Sequence, residues 1–253
     1  MTESLVLVDK QTQYTVIRIN RPNQGNALSL EVIKQISKSI TDIQRSEVTP
    51  IIFTGSGDRF FCAGGDIKSY AQIDSVEQLN DVFGAARDLL DQVEAFPLPV
   101  IAAVNGLALG GGAELALACD FRFIEEHALI GFPQIRLGII PGWDGIDRLV
   151  RLVGMGVATK LLMTGESITS SDAIKCSLVT SSTPKGESLM TSVKLCETLS
   201  LLPPAALSAL KHQLINAYGG SFSRAESRKT FEDLWFSEHH RKAERDFIKR
   251  SES

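Results

Sequence analysis

Apolar and polar positions recur along this chain with periods that name the elements. Leu5–Val8 and Tyr14–Ile19 are apolar runs separated by the polar stretch Asp9–Gln13, which predicts two paired strands joined by a turn. After the loop Arg21–Asn26, Ser29 stands as N-cap of a helix over Leu30–Arg45. Pro50–Thr54 reads as a short buried strand closed by Gly55–Asp58. Within Ser75–Glu94, apolar Leu79, Val82, Phe83, Ala86, Leu89, Leu90 and Val93 follow the helical period, and Pro97 and Pro99 end that helix. Further strands are predicted at Val100–Val104, Asp120–Ile124, Ala128–Phe132 and Leu178–Ser181. Helices are predicted at Ile146–Val153, Val157–Met163, Ser171–Cys176 and Gly186–Leu199. From Pro203 onward only helical patterns remain: Ala205–Ala217, a break at Gly219 and Gly220, then Arg224–Phe236 and Glu238–Arg250. Strands alternating with helices over residues 1–181, then helices alone, predict a layered α/β core with a helical C-terminal region.

The stretch Pro99–Asp120 organises this pattern. Its β-branched start, Val100–Val104, feeds through Gly110, Gly111 and Gly112 into Ala113–Cys119, composed mostly of good helix formers. A strand that enters a helix through glycines leaves backbone N–H groups uncovered by side chains, and the helix N-terminus adds partial positive charge. That combination suits a developing oxyanion, and Glu114 sits in the first helical turn beside it. A structural glycine turn with an incidental glutamate is the competing reading. A transmembrane span is disfavoured by Asn105, Glu114 and the glycines. A dinucleotide fingerprint fails because Leu115 occupies the position of its last glycine.

Composition narrows the picture. The chain has 253 residues, 43% of them hydrophobic, and a net charge of -4, so a large core is expected without a general attraction to nucleic acid or anionic membrane. Glu3 and Asp9 interrupt any apolar leader in Met1–Gln13. Cys62, Cys119, Cys176 and Cys196 are widely spaced and read as reduced thiols of a cytoplasmic protein. None of His127, His212, His239 and His240 has two companions at metal-ligand spacing, so no metal is expected. There is no G-x-S-x-G elbow for a serine triad.

Several short motifs occur in order: Arg21 and Pro22 with Asn26, Ala27 and Leu28; Phe61–Ile67; Pro99–Gly106 followed by Gly110–Glu114; Leu137–Gly142; Arg148 and Leu149; Leu161–Gly165; and Pro203 with Pro204. Together they resemble the crotonase family of enoyl-CoA hydratases, isomerases and relatives, over nearly the whole chain. The resemblance implies a spiral of stacked ββα turns over 1–200. It implies a helical region over 201–253 packing on neighbouring subunits of a homotrimer or a hexamer (a dimer of trimers). It implies an acyl-CoA thioester as substrate and no separate cofactor. The amides of Gly65 and Gly111 would then hold the thioester oxygen, each contributing about 3 kcal/mol. Coenzyme A would lie along backbone at Asn26, Ala27 and Leu28 and along Ala63, Asp66 and Ile67. Lys68, Lys249 and Arg250 would stand near its phosphates. For Lys249 and Arg250 a solvated charged face competes, and for Asp66 an Asx-type turn.

A hydratase of this family pairs Glu114 with a second carboxylate in a Pro-Glu dipeptide, but this chain has Pro133 and Gln134. An amide can position water but cannot exchange its proton, and losing such a group costs roughly 10² to 10⁴-fold. Asp144, beside Trp143, is the candidate substitute, with an N-cap of the helix at Ile146 as the alternative. Trp143 is expected to fill space. Reversible hydration of a 2-enoyl-CoA is the default reaction. Double-bond isomerisation, an enolate-forming decarboxylation or lyase step, and a binding homologue without turnover are its rivals.

Overall fold

The computed structural model describes residues 4–46, 48–220 and 223–235, with Ser237, Glu238, His240 and Lys242. Strand β1 (Val6–Lys10) pairs antiparallel with β2 (Thr15–Ile19), and β2 lies parallel to β3 (Ile51–Gly55). Parallel pairing continues through β5 (Val100–Val104), β7 (Phe121–Glu125) and β10 (Ser181–Thr183) to complete a six-stranded sheet. A second, four-stranded sheet runs β4 (Phe60–Cys62), β6 (Leu107–Leu109), β8 (Leu129–Gly131) and β9 (Ser167–Thr169).

Each pass of the chain places one strand in the large sheet, the next in the small sheet, and then a helix. β3 and β4 precede α2 (Ile67–Tyr70) and α3 (Val76–Glu94); β5 and β6 precede α4 (Gly111–Ala118); β7 and β8 precede α5 (Gly145–Thr164). This repetition is the expected ββα spiral. Asn105, at the corner between β5 and β6, welds one turn to the previous one. Its Oδ1 accepts from Gly55 N–H (3.0 Å) and the Thr54 hydroxyl (3.1 Å), while Nδ2 donates to the Gly55 and Gly57 carbonyls (3.0 and 2.8 Å). Its amide is fully satisfied where a buried polar group without partners would be costly.

β3 and β5 are buried along their whole length, as parallel strands covered on both faces must be. Helix α1 (Leu30–Arg45) is capped by Ser29, which accepts from Val32 N–H, and it buries Val32, Ile33, Ile36, Ile40 and Ile43 on one face. Removing each of these from water is worth about 1.5–3 kcal/mol. α3 starts at its Ser75 cap and packs on α1 through the face carrying Ala86, Leu89, Leu90 and Val93.

Several expectations shift. The strand predicted at Leu178–Ser181 is Ser181–Thr183. Leu178 and Val179 are buried instead by the turn after α6 (Ser170–Lys175), where both N–H groups donate to Ala173. The helices predicted at Ile146–Val153 and Val157–Met163 are parts of α5 on either side of a break at Gly154, whose φ of 74° and ψ of 164° are non-helical. β4, β6 and β9, three residues each, are absent from the predicted elements. The chain divides into two compact units, Met1–Glu197 and Thr198–Ser253. In the second, α8 (Pro204–Tyr218) opens with proline in its first turn and ends at Gly219, and α9 (Arg224–Trp235) follows. α7 (Ser188–Ser200) precedes them. Most of the helix predicted at Glu238–Arg250 lies outside the described residues. No single described helix is long and apolar enough to cross a membrane.

Candidate active site

The site forms where two glycine turns meet. Leu28 and Gly65 form a parallel bridge in which Leu28 N–H donates to the Gly64 carbonyl (2.8 Å) and Asp66 N–H to the Leu28 carbonyl (3.1 Å). In that pattern Gly65 itself turns its N–H away from Leu28. The second turn enters α4 through Gly110 (φ 53°), which offers no side-chain cap, so the first amides of the helix keep no intrahelical acceptor. The two turns touch: a Cβ on Gly112 would lie 2.1 Å from the Cys62 carbonyl oxygen, and one on Gly111 would lie 2.3 Å from the Trp143 ring. Only glycine fits at either position. Gly65 and Gly111 both line one cavity, walled by Tyr70, Phe83 and Trp143 and opening past Leu137, Ile139 and Ile140.

Glu114 reaches the same cavity and is 1% exposed. Its Oε2 accepts from the backbone N–H groups of Trp143 (3.0 Å) and Gly145 (2.9 Å), and its Oε1 accepts from Gln134 Nε2 (3.0 Å). Burial pushes the carboxyl above the ordinary range; these donors and the Arg148 charge pull the other way without overcoming it. Gln134, on the short 3₁₀ turn Pro133–Leu137, has its Nε2 committed to Glu114. Its Oε1 is buried with no partner among the described residues. A buried acceptor of this kind wants an O–H or N–H from whatever enters the cavity.

Asp144 is not brought to the site. It occupies the residue before α5 in a left-handed conformation (φ 61°, ψ 25°), makes no capping bond, and its exposed side chain does not line the cavity. The physical reason is that the amides on either side of it turn toward Glu114, which faces Asp144 outward. Glu114 itself therefore satisfies the first N–H of α5. Trp143 is 3% exposed and fills space against Gly111, as expected.

The remaining residues separate by exposure. Asn26 has φ 53°; its Oδ1 accepts from Arg21 N–H, its Nδ2 donates to the Ser56 and Phe60 carbonyls, and its N–H donates to the Arg21 carbonyl (2.8 Å), so neither its side chain nor its amide N–H is free for a ligand. Ala27 and Leu28 are buried beside the Ala63–Asp66 backbone, with Ala63 N–H donating to the Gly25 carbonyl. Asp66 pairs with Arg21 at 2.8 Å and caps Ser69 N–H at 3.3 Å. Burial works to raise its pKa, but Arg21 and the Ser69 amide outweigh it, and the carboxyl is held low. Ala63 and Ile67 line the cavity, and Lys68 is exposed outside it. Lys249 and Arg250 lie outside the described residues. Among the described residues no three His, Cys, Asp or Glu side chains are grouped to hold a metal. Sequence reasoning missed the two backbone donors to Glu114, the aromatic walls Tyr70 and Phe83, and the arginines behind Trp143.

A ββα spiral with a buried carboxylate at the head of a glycine-led helix defines a crotonase-fold protein. The family model described as Enoyl-CoA hydratase/isomerase matches residues 9–251, and the chain belongs to that family. It is 37% identical over 213 residues to the short-chain-enoyl-CoA hydratase of Clostridium acetobutylicum, covering 83% of this chain and 80% of that one. It is 42% identical over 176 residues to the crotonyl-CoA hydratase of Syntrophomonas wolfei, covering 69% and 67%. The crystal structure of an enoyl-CoA hydratase from Bacillus anthracis superposes with a TM-score of 0.91 at 33% identity, covering 98% of this chain and 97% of that one.

Proposed function

We propose that this protein catalyses reversible hydration of a 2-enoyl-CoA. The observation that carries the reading is Glu114: a buried carboxylate fixed by three donors at the edge of a cavity that Gly65 and Gly111 also line. The thioester oxygen accepts from Gly65 and Gly111 N–H, which stabilise the enolate more than the ground-state carbonyl. A water donates one O–H to Gln134 Oε1 and the other to Glu114. Glu114 takes that proton as the water oxygen bonds to the β-carbon, and the double-bond electrons move to the thioester oxygen. Glu114 then gives the proton to the α-carbon and ends, as it began, a carboxylate. No resident cofactor takes part; coenzyme A arrives as part of the substrate, along the Asn26–Leu28 and Ala63–Ile67 backbone with Lys68 near its phosphates. The described residues offer no other ionised side chain lining this cavity, which supports a single proton carrier.

That same feature favours a second reading, a double-bond isomerase, since a 1,3-proton shift also needs one base. Incubation with crotonyl-CoA and with a 3-enoyl-CoA separates them: 3-hydroxyacyl product from the first supports hydration, and 2-enoyl product alone from the second supports isomerisation. Exposed Leu210 and Leu214 on α8 support a homotrimeric or hexameric assembly, which light scattering tests. The cytoplasm is the compartment proposed for it.

A further inference from the structure

We propose that Arg87 and Arg148 are positioning residues for Glu114, acting through the backbone of residues 142–145, which they tie to α3. The proposal rests on the reading of Glu114 as the proton carrier.

Described peptide bonds are all trans, and a trans peptide points its carbonyl and N–H in opposite directions. Arg87 Nη1 donates to the Gly142 carbonyl at 3.2 Å. The N–H on the other side of that same peptide, from Trp143, donates to Glu114 Oε2 at 3.0 Å. One peptide along, Arg148 Nη1 donates to the Trp143 carbonyl at 3.1 Å. Arg148 is 5% exposed and anchored by α3 in turn, with Nε to Glu94 at 3.0 Å and Nη2 to Asp91 at 2.6 Å. Arg87, Asp91 and Glu94 stand at i, i+4 and i+7 and so share one face of α3.

Two successive carbonyls of a glycine-flanked segment are thus pinned from behind. The first pinned peptide aims its own N–H, from Trp143, at Glu114 Oε2, and the second donor to that oxygen, Gly145 N–H (2.9 Å), lies on the peptide that follows the second. A hydrogen bond to the carbonyl also polarises the peptide and strengthens what its N–H donates. Oε2 is fully engaged by this arrangement, which leaves Oε1, toward Gln134, as the oxygen that carries the proton. Other ionisable groups on the elements packed here are Asp147 and Arg151 on α5, which pair with each other and Arg151 with Glu94, and the Cys62 thiol on β4, pushed up to about 12 by burial; Glu77, Asp81 and Asp88 on α3 and Lys160 on α5 are exposed. β6 carries none, Arg136 and Asp144 are exposed, and burial holds Tyr70 a neutral phenol. The Arg148 charge and the Trp143 N–H that Arg87 backs both favour the carboxylate form of Glu114, so loosening either moves its titration to higher pH.

Arg87→Met removes one clamp while leaving Asp91 and Glu94 paired with Arg148. Crotonyl-CoA hydration measured across pH is expected to lose about tenfold in kcat with KM within about twofold, the acid limb moving up by about half a pH unit or more, and Arg87→Lys recovering most of both. Titration of Glu114 by ¹³C NMR, assigned by its loss in Glu114→Gln, is expected to shift upward in Arg87→Met without any substrate. An unmoved titration in folded Arg87→Met, or a kcat loss with an unmoved acid limb, overturns the clamp. Arg148→Lys gives the same readouts if Arg87→Met fails to fold. A wild type that does not hydrate crotonyl-CoA overturns the proposed reaction and leaves the titration to decide the clamp.

Discussion

Replacing Gln134 with glutamate puts a second carboxylate where an amide nitrogen now sits 3.0 Å from Glu114 Oε1. Two unit charges at that distance repel by about 5.5 kcal/mol at an effective dielectric near 20. At 1.36 kcal/mol per unit, this separates the two proton affinities by about 4 pH units. The pair therefore titrates as one system that keeps a single shared proton through neutral pH. A shared proton gives the cavity an acid as well as a base, and hydration of crotonyl-CoA should rise roughly tenfold or more near pH 7. The assay is the pH–rate profile of Gln134→Glu beside wild type. It should gain a descending limb on the alkaline side where the shared proton leaves. Thermal unfolding should lose stability over the same window, because the second ionisation is buried. No rise in rate together with no alkaline limb would refute the geometry assigned to Gln134 and Glu114.

Glu114→Gln should lower kcat roughly 10² to 10⁴-fold. It should also raise Tm: the folded pKa of Glu114 lies above its unfolded value, so wild type is relatively most stable at low pH and loses stability as pH rises through the folded value. The Tm gain of the variant should accordingly be larger at pH 8 than below pH 4. Gly111→Ala places a Cβ 2.3 Å from the Trp143 ring and should abolish turnover while moving Tm down by several degrees, as seen by calorimetry. Asp144→Asn should leave kcat and KM within about twofold of wild type, since the side chain is exposed and caps nothing; a large loss in steady-state kinetics would restore Asp144 to the chemistry.

What the residues disclosed unaided is local physics. Ser29 and Ser75 cap helices because short hydroxyls satisfy first-turn amides; the Ser29 cap stands where the pattern put it, and Ser75, read as the first residue of its helix, is its cap. The glycine turns and Glu114 were readable because glycine before a helix has few other uses. The three-residue strands β6 and β9 were not readable, since three residues show no period and their pairing is decided across the spiral. Asp144 misled for a similar reason. Aspartate before a helix suggests a cap, yet a carboxylate 31 positions earlier than Gly145 fills that role from another element. The arginine clamp joins α3 to Gly142 across 55 positions and to Arg148 of α5 across 57, and no local pattern encodes that.

Exchange of the α-protons of butyryl-CoA in D₂O, followed by NMR, tests enolate stabilisation most directly, because it needs the glycine amides and Glu114 but no water addition. Wild type should exchange them and Glu114→Gln should not. Tight binding of butyryl-CoA by wild type with no exchange, or exchange that survives Glu114→Gln, would contradict the account.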